Sequence, residues 1–173
     1  MFFVFTGPES SGKTTFANFA FSVFGGGLVP EYARQYLERQ QGRYTFGDLK
    51  IMAENQYEFE EEQKLKYPYV WCDTDLITLF IWSLEKFNRV NPIIKRHLES
   101  KKESKRFYFL CRPDIPWEYD ALRENPEDRD RLFELYLAFL EKIKVPYIVL
   151  QGSKEKKENT ISEIFTRYLE GAL

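Results

Sequence analysis

The stretch that most constrains this chain is residues 7–14, Gly-Pro-Glu-Ser-Ser-Gly-Lys-Thr, which follows directly on the apolar run Phe2-Phe3-Val4-Phe5. Gly7, Gly12, Lys13 and Thr14 match the spacing GxxxxGK(S/T). A strand before that spacing and a helix after it form the context in which it cradles phosphate. The glycines let the backbone wrap so that N–H groups along Glu9, Ser10, Ser11, Gly12, Lys13, Thr14 and Thr15 face phosphate oxygens. The helix opening near Lys13 adds the positive end of its dipole. Lys13 is expected to reach the β- and γ-phosphates of ATP, and the Thr14 hydroxyl to serve Mg²⁺, a hard cation that needs only one or two protein ligands.

The rest of the chain repeats the strand–helix rhythm. Short apolar or aromatic runs predict strands at 2–6, 27–30, 69–72, 106–111 and 146–150. Helices are expected between them at about 13–24, 31–40, 47–66, 75–88, 91–100, 127–143 and 157–170. Strands such as Tyr69-Val70-Trp71-Cys72 are apolar on both faces, as buried parallel strands must be. Right-handed crossovers then set helices on both faces of the sheet. The expected fold is a three-layer α/β P-loop NTPase fold, with a five-stranded parallel sheet, of the nucleoside- and nucleotide-kinase kind. Residues 1–173 read as one domain.

The bulk composition sets what the chain excludes. With 43% hydrophobic and 30% charged residues it supports one solvated, packed core. A net charge of −2 offers no polybasic surface for nucleic acid or membrane. No segment approaches the roughly 20 apolar residues of a membrane span, and no secretory signal is present, so a cytoplasmic protein is expected. Cys72 and Cys111 end strands and have no metal-ligand or disulfide spacing. Because the first strand starts almost at Met1, any further catalytic or DNA-binding domain is expected on another chain or not at all. The acidic run Glu58-Phe59-Glu60-Glu61-Glu62 reads as the solvated face of a helix, and His97 as a surface or packing residue.

Open parallel sheets bind ligands outside the carboxyl ends of their strands. The third strand runs into Asp73-Thr74-Asp75, with Asp73 where the Mg²⁺-associated carboxylate is expected and Asp75 either in the site or capping the next helix. The second strand ends at Pro30 and leads into Glu31-Tyr32-Ala33-Arg34. Glu31 or Asp73 is the candidate base for an acceptor hydroxyl. Beyond the fourth strand, residues 112–131 carry Arg112, Arg123, Arg129 and Arg131 among prolines, which suggests a closing lid. Arg123 and Arg129 are its candidates for stabilising the charge of a transferring phosphoryl group. The competing reading pairs them with Glu127, Asp128 and Asp130 on a solvated helix.

Four segments, Gly-Pro-Glu-Ser-Ser-Gly-Lys-Thr, Pro-Glu-Tyr-Ala-Arg, Asp-Thr-Asp-Leu-Ile-Thr and Pro-Asp-Ile-Pro-Trp-Glu, occur in order from residue 7 to 118, and Arg-Glu-Asn-Pro-Glu-Asp-Arg extends the series to 129. This series closely resembles the ribosylnicotinamide kinase domain of NadR-type proteins. The resemblance implies transfer of the γ-phosphate of ATP to the 5′-hydroxyl of nicotinamide riboside, giving nicotinamide mononucleotide for NAD synthesis. Glu31, Tyr32, Arg34, Gln56, Asp73, Asp75 and Trp117 are then the expected substrate contacts, and adenine is expected near Gly152. A small cationic nucleoside suits a pocket of carboxylates and aromatics, whereas a nucleotide acceptor would call for an arginine cluster. One departure stands out: the family commonly carries a tryptophan ahead of the Glu-Tyr pair, and here that position is Pro30. Tyr32, Tyr57 or Trp117 is expected to supply the ring instead.

Overall fold

The computed structural model describes residues 1–100, 104–117 and 128–173. Arg123 and much of the expected lid lie outside the described residues. Five strands, β1 (Phe2–Thr6), β2 (Gly27–Val29), β3 (Val70–Asp73), β4 (Arg106–Cys111) and β5 (Tyr147–Leu150), form one parallel sheet in the order β2-β3-β1-β4-β5. The helices are α1 (Lys13–Phe24), α2 (Tyr32–Arg39), α3 (Asp48–Lys66), α4 (Leu76–Phe87), α5 (Pro92–Ser100), α6 (Arg129–Ile143) and α7 (Lys154–Leu169). This is the α/β architecture with a five-stranded parallel sheet expected from the strand rhythm.

Alternation along β1 divides the core. Phe3 and Phe5 point to one face, against Phe16, Ala17 and Ala20 of α1 and Ile161, Ile164 and Phe165 of α7. Phe2 and Val4 point to the other, against Ile77 and Ile81 of α4 and Phe133, Tyr136 and Leu140 of α6. A third cluster joins α2, α3, α4 and α5 through Leu37, Leu49, Met52, Leu76 and Ile94. Cys72 and Cys111 are both free thiols buried in these layers, and burial pushes Cys111 up to about 12, so it stays protonated.

Register fixes where the strands end relative to one another. Phe5 of β1 is level with Asp73 of β3, and Val29 of β2 is level with Cys72. Asp73, the loop leaving β1 and the residues just past Val29 therefore emerge together at one edge of the sheet. Gly7 sits so close to β4 that a Cβ there would lie 2.6 Å from the Cys111 carbonyl oxygen, at a backbone φ of +132°. Only glycine lets the loop leave between β3 and β4.

Most element boundaries fall within one or two residues of the sequence reading, and α7 and one side chain depart further. Helix α7 starts at Lys154 rather than 157, because Ser153 caps it by accepting the Lys156 amide at 3.2 Å. Glu31 precedes α2 as its cap position. Glu60, expected on a solvated face, is 0% exposed and forms a buried ion pair with Arg106 of β4. The Arg106 guanidinium also lies 3.5 Å from Asp75, whose second partner is the Tyr108 hydroxyl at 2.8 Å. Burial alone would lower the proton affinity of Arg106, but Glu60, Tyr108 and Asp75 hold it above the ordinary arginine value. Removing that one cation strands two buried carboxylates. Arg106→Met should lose about 3–5 kcal/mol of unfolding free energy in urea titrations, and adding Glu60→Gln to it should recover part of the loss.

Candidate active site

Helix α1 begins at Gly12, which has no side chain to satisfy the first-turn amides. Those amides face the loop of residues 7–12, the arrangement in which a helix N-terminus receives an anion. Gly12 has φ +87°, and a Cβ there would press to 2.9 Å from the Phe16 ring. Lys13 Nζ donates to the Pro8 carbonyl at 2.7 Å, and Ser11 Oγ donates to the same oxygen at 2.8 Å. The loop is thus held in its wrapped form by its own polar groups.

A cleft opens at this edge of the sheet, lined by Glu9 through Thr15, by Glu31, Arg34 and Leu37 from the start of α2, by Trp82 of α4, and by Ile115 and Pro116. Of the expected substrate contacts, Glu31 and Arg34 line it. Asp73, 6% exposed, is hydrogen-bonded to Thr14 of that lining, and its Oδ1 is unpartnered among the described residues. Burial raises its proton affinity, while the Thr14 hydrogen bond and the charges of Lys13 and Arg34 oppose the rise. Glu31 is pushed up to about 7, first by burial and then by the negative charge of Asp73, with Lys13 and Arg34 pulling the other way. Two carboxylates beside one phosphate loop have thereby acquired different environments.

Arg129, at the first position of α6, donates to the Ser10 carbonyl at 3.2 Å and to the Ile115 carbonyl at 3.0 Å. Its guanidinium lies 5.7 Å from the centre of the Trp117 ring. The structure therefore brings Arg129 to the phosphate loop rather than into the pairing with Asp128 and Asp130 weighed above. It is Arg131 that pairs with Asp128, and with Glu85.

The remaining expectations are placed elsewhere. Asp75 is buried beside Arg106 and caps α4, its Oδ1 accepting the Ile77 amide at 2.9 Å, so the capping alternative is the one realised. Gln56 is buried and accepts the Tyr32 amide at 2.9 Å through Oε1, which fixes the start of α2 and with it Glu31. Tyr32 packs edge-on against Phe59, and Tyr57 stacks on His97 at 4.4 Å between ring centres. The Gly152 amide, near the expected adenine position, is given to Asp114 Oδ2 at 2.7 Å. Asp114 also pairs with Lys157, a lysine only 1% exposed.

Lys157 and Trp82 carried no signal that sequence reasoning used, and Asp114 entered only within the segment Pro-Asp-Ile-Pro-Trp-Glu. Lys157 sits in the run Lys154-Glu155-Lys156-Lys157, which looks solvated. Trp82 sits in a helix whose other residues are mostly core. Among the described residues no cluster of three or more His, Cys, Asp or Glu side chains forms a metal cage, and no helix is long and apolar enough to cross a membrane.

No curated protein matches the chain significantly in sequence. Solved structures share its fold. A NadR protein in complex with NR superposes with a TM-score of 0.73 at 17% identity, over 95% of this chain and 50% of that one. A NadR protein in complex with NAD and AMP-PNP gives 0.72 at 18%, over 95% and 48%. The chain thus spans about half the length of these NadR chains. A deoxyadenosine kinase from M. mycoides, with products dCMP and dCDP bound, gives 0.60 at 16% identity, over 99% of this chain and 100% of that one. The family described as "AAA domain" matches residues 2–157. With that match running from β1 into α7, through the phosphate loop and every strand, the chain belongs to the AAA domain family.

Proposed function

We propose that the chain is an ATP-dependent nucleoside kinase whose acceptor is the 5′-hydroxyl of nicotinamide riboside. The observation that carries the kinase reading is Glu31, a carboxyl with an affinity for protons near neutrality, lining the same cleft as the phosphate loop. A general base works best when its pKa lies near the operating pH. The acceptor assignment is supported by the ordered motif series and by the overlay with a NadR protein in complex with NR.

Each residue then has a separable task. Lys13 exchanges its Pro8 carbonyl for phosphate oxygens, and the open amides of α1 take the rest of the phosphate charge. Arg129 stands at the loop to meet the equatorial oxygens of the transferring group. Glu31 takes the proton of the acceptor hydroxyl as the new O–P bond forms and the bond to the β-phosphate oxygen breaks, leaving ADP. Arg34 lines the cleft and draws Glu31 towards its ionised form. Asp73 and Thr14 are both hard oxygen donors, and the unpartnered Oδ1 of Asp73 fits a cation at that position. Mg²⁺ held there would neutralise charge on the β- and γ-phosphates. Glu31 is accordingly assigned the base and Asp73 the metal side.

Mass spectrometry of a reaction containing Mg·ATP, nicotinamide riboside, common nucleosides and nucleoside monophosphates tests the reading. Nicotinamide mononucleotide should appear beside ADP, and Lys13→Ala should stop both. Phosphorylation of a different nucleoside would replace the acceptor, and ADP without any phosphorylated acceptor would make the protein an ATPase. Glu31→Gln should slow turnover by about 10²–10⁴.

The same side chain makes a prediction about stability. Its folded-state affinity for protons, near 7, exceeds its ordinary value of 4.5. It therefore favours the folded chain below the lower value and loses that contribution as pH rises through the higher one. In chelating buffer, Glu31→Gln should melt at a higher temperature than the parent at pH 8, and the difference should close towards pH 4.

A further inference from the structure

The cleft is chemically mixed. Its lining combines the loop residues with Lys13 and Thr14, the charged Glu31 and Arg34, and the apolar Leu37, Trp82, Ile115 and Pro116. Trp82 is the one aromatic side chain among the described residues lining it. The rings expected to fill this role lie elsewhere: Tyr32 is against Phe59, Tyr57 is against His97, and Trp117 faces Arg129.

Trp82 is also rigidly held. Helix α4 is anchored at its start by Asp75, which is fixed in turn by Tyr108 and Arg106. Beside Trp82, the Ser83 hydroxyl donates to the Arg89 carbonyl at 2.6 Å and accepts the Asn91 amide at 3.2 Å, closing the far end of the helix. The indole rests against Tyr44, with centroids 6.5 Å apart, and Tyr44 is braced edge-on by Phe87 at 5.9 Å. A half-buried indole fixed in this way in the wall of a polar cleft is a preorganised flat surface. Glu31 and Trp82 line the same cleft, so a nucleoside whose reacting hydroxyl meets Glu31 can set its ring against the indole.

We propose that Trp82 determines acceptor specificity by receiving the flat heteroaromatic ring of the nucleoside on its indole face, an inference that rests on the nucleoside-kinase reading. The test is steady-state kinetics of Trp82→Leu and Trp82→Phe, with acceptor and ATP varied separately, on whichever nucleoside the wild-type chain phosphorylates. Trp82→Leu should raise KM for that nucleoside about tenfold or more, the loss expected of one stacking partner, while KM for ATP stays within about twofold. Trp82→Phe, which keeps a ring, should recover most of the loss. An unchanged acceptor KM in Trp82→Leu overturns the inference and leaves the kinase reading intact. Equal rises in both KM values also overturn it, since they mark a disturbed cleft rather than a lost ring contact. A wild-type chain that phosphorylates no nucleoside overturns the kinase reading and the inference with it, and the product assay shows that outcome before any variant is made.

Discussion

One buried guanidinium organises the side of the molecule built by α3 and α4. Arg106 leaves β4 and meets Glu60 of α3 and Asp75 at the start of α4. Each of these helices places a group the cleft depends on. From α3, Gln56 holds the first amide of α2 and so positions Glu31, and α4 carries Trp82 into the wall. A buried ion pair contributes little net stability when its desolvation is counted. What the cluster supplies here is relative position: two helices from different crossovers are tied to one point on the sheet. Tyr108, on the same strand, adds its hydroxyl to Asp75 and closes the network.

The loop of residues 7–12 depends on backbone geometry instead. Register between β1, β2 and β3 brings Asp73, the loop and Glu31 to one edge, and the contact of Gly7 with Cys111 leaves no room for a side chain there. These two supports meet at the carboxylate pair. Glu31 is held from the α3 side and Asp73 from the sheet, so their separation is set by two parts of the fold that share no local sequence. Burial raises both, and their surroundings differ in that Glu31 faces a neighbouring anion while Asp73 receives a hydroxyl donor.

Much of this was legible in the residues because the strands are short apolar runs bounded by glycine and proline, and the glycine spacing from Gly7 to Gly12 admits few alternatives. What stayed hidden is what local pattern cannot carry. Glu60 lies among three other acids of the kind that face solvent, and only the distant Arg106, 46 residues on, explains its burial. Lys157 looks like its charged neighbours until Asp114 is brought beside it by the sheet. Asp75 offered two roles at one position, and the cation needed to settle the choice again came from β4. Trp82 follows the period of a core helix, so its wall position emerges only once α2 has been laid across from it.

The hydrogen bonds that hold the loop have a consequence for any anion that meets it. Lys13 is already engaged by the Pro8 carbonyl, and Arg129 by the carbonyls of Ser10 and Ile115. An incoming anion therefore trades existing bonds for new ones, and the gain is the difference between a charge-assisted bond to phosphate and one to a neutral carbonyl. That difference grows with the number of negative oxygens presented at once. A polyanion that satisfies both cations and the open amides together therefore gains more than a singly charged solute that meets one of them.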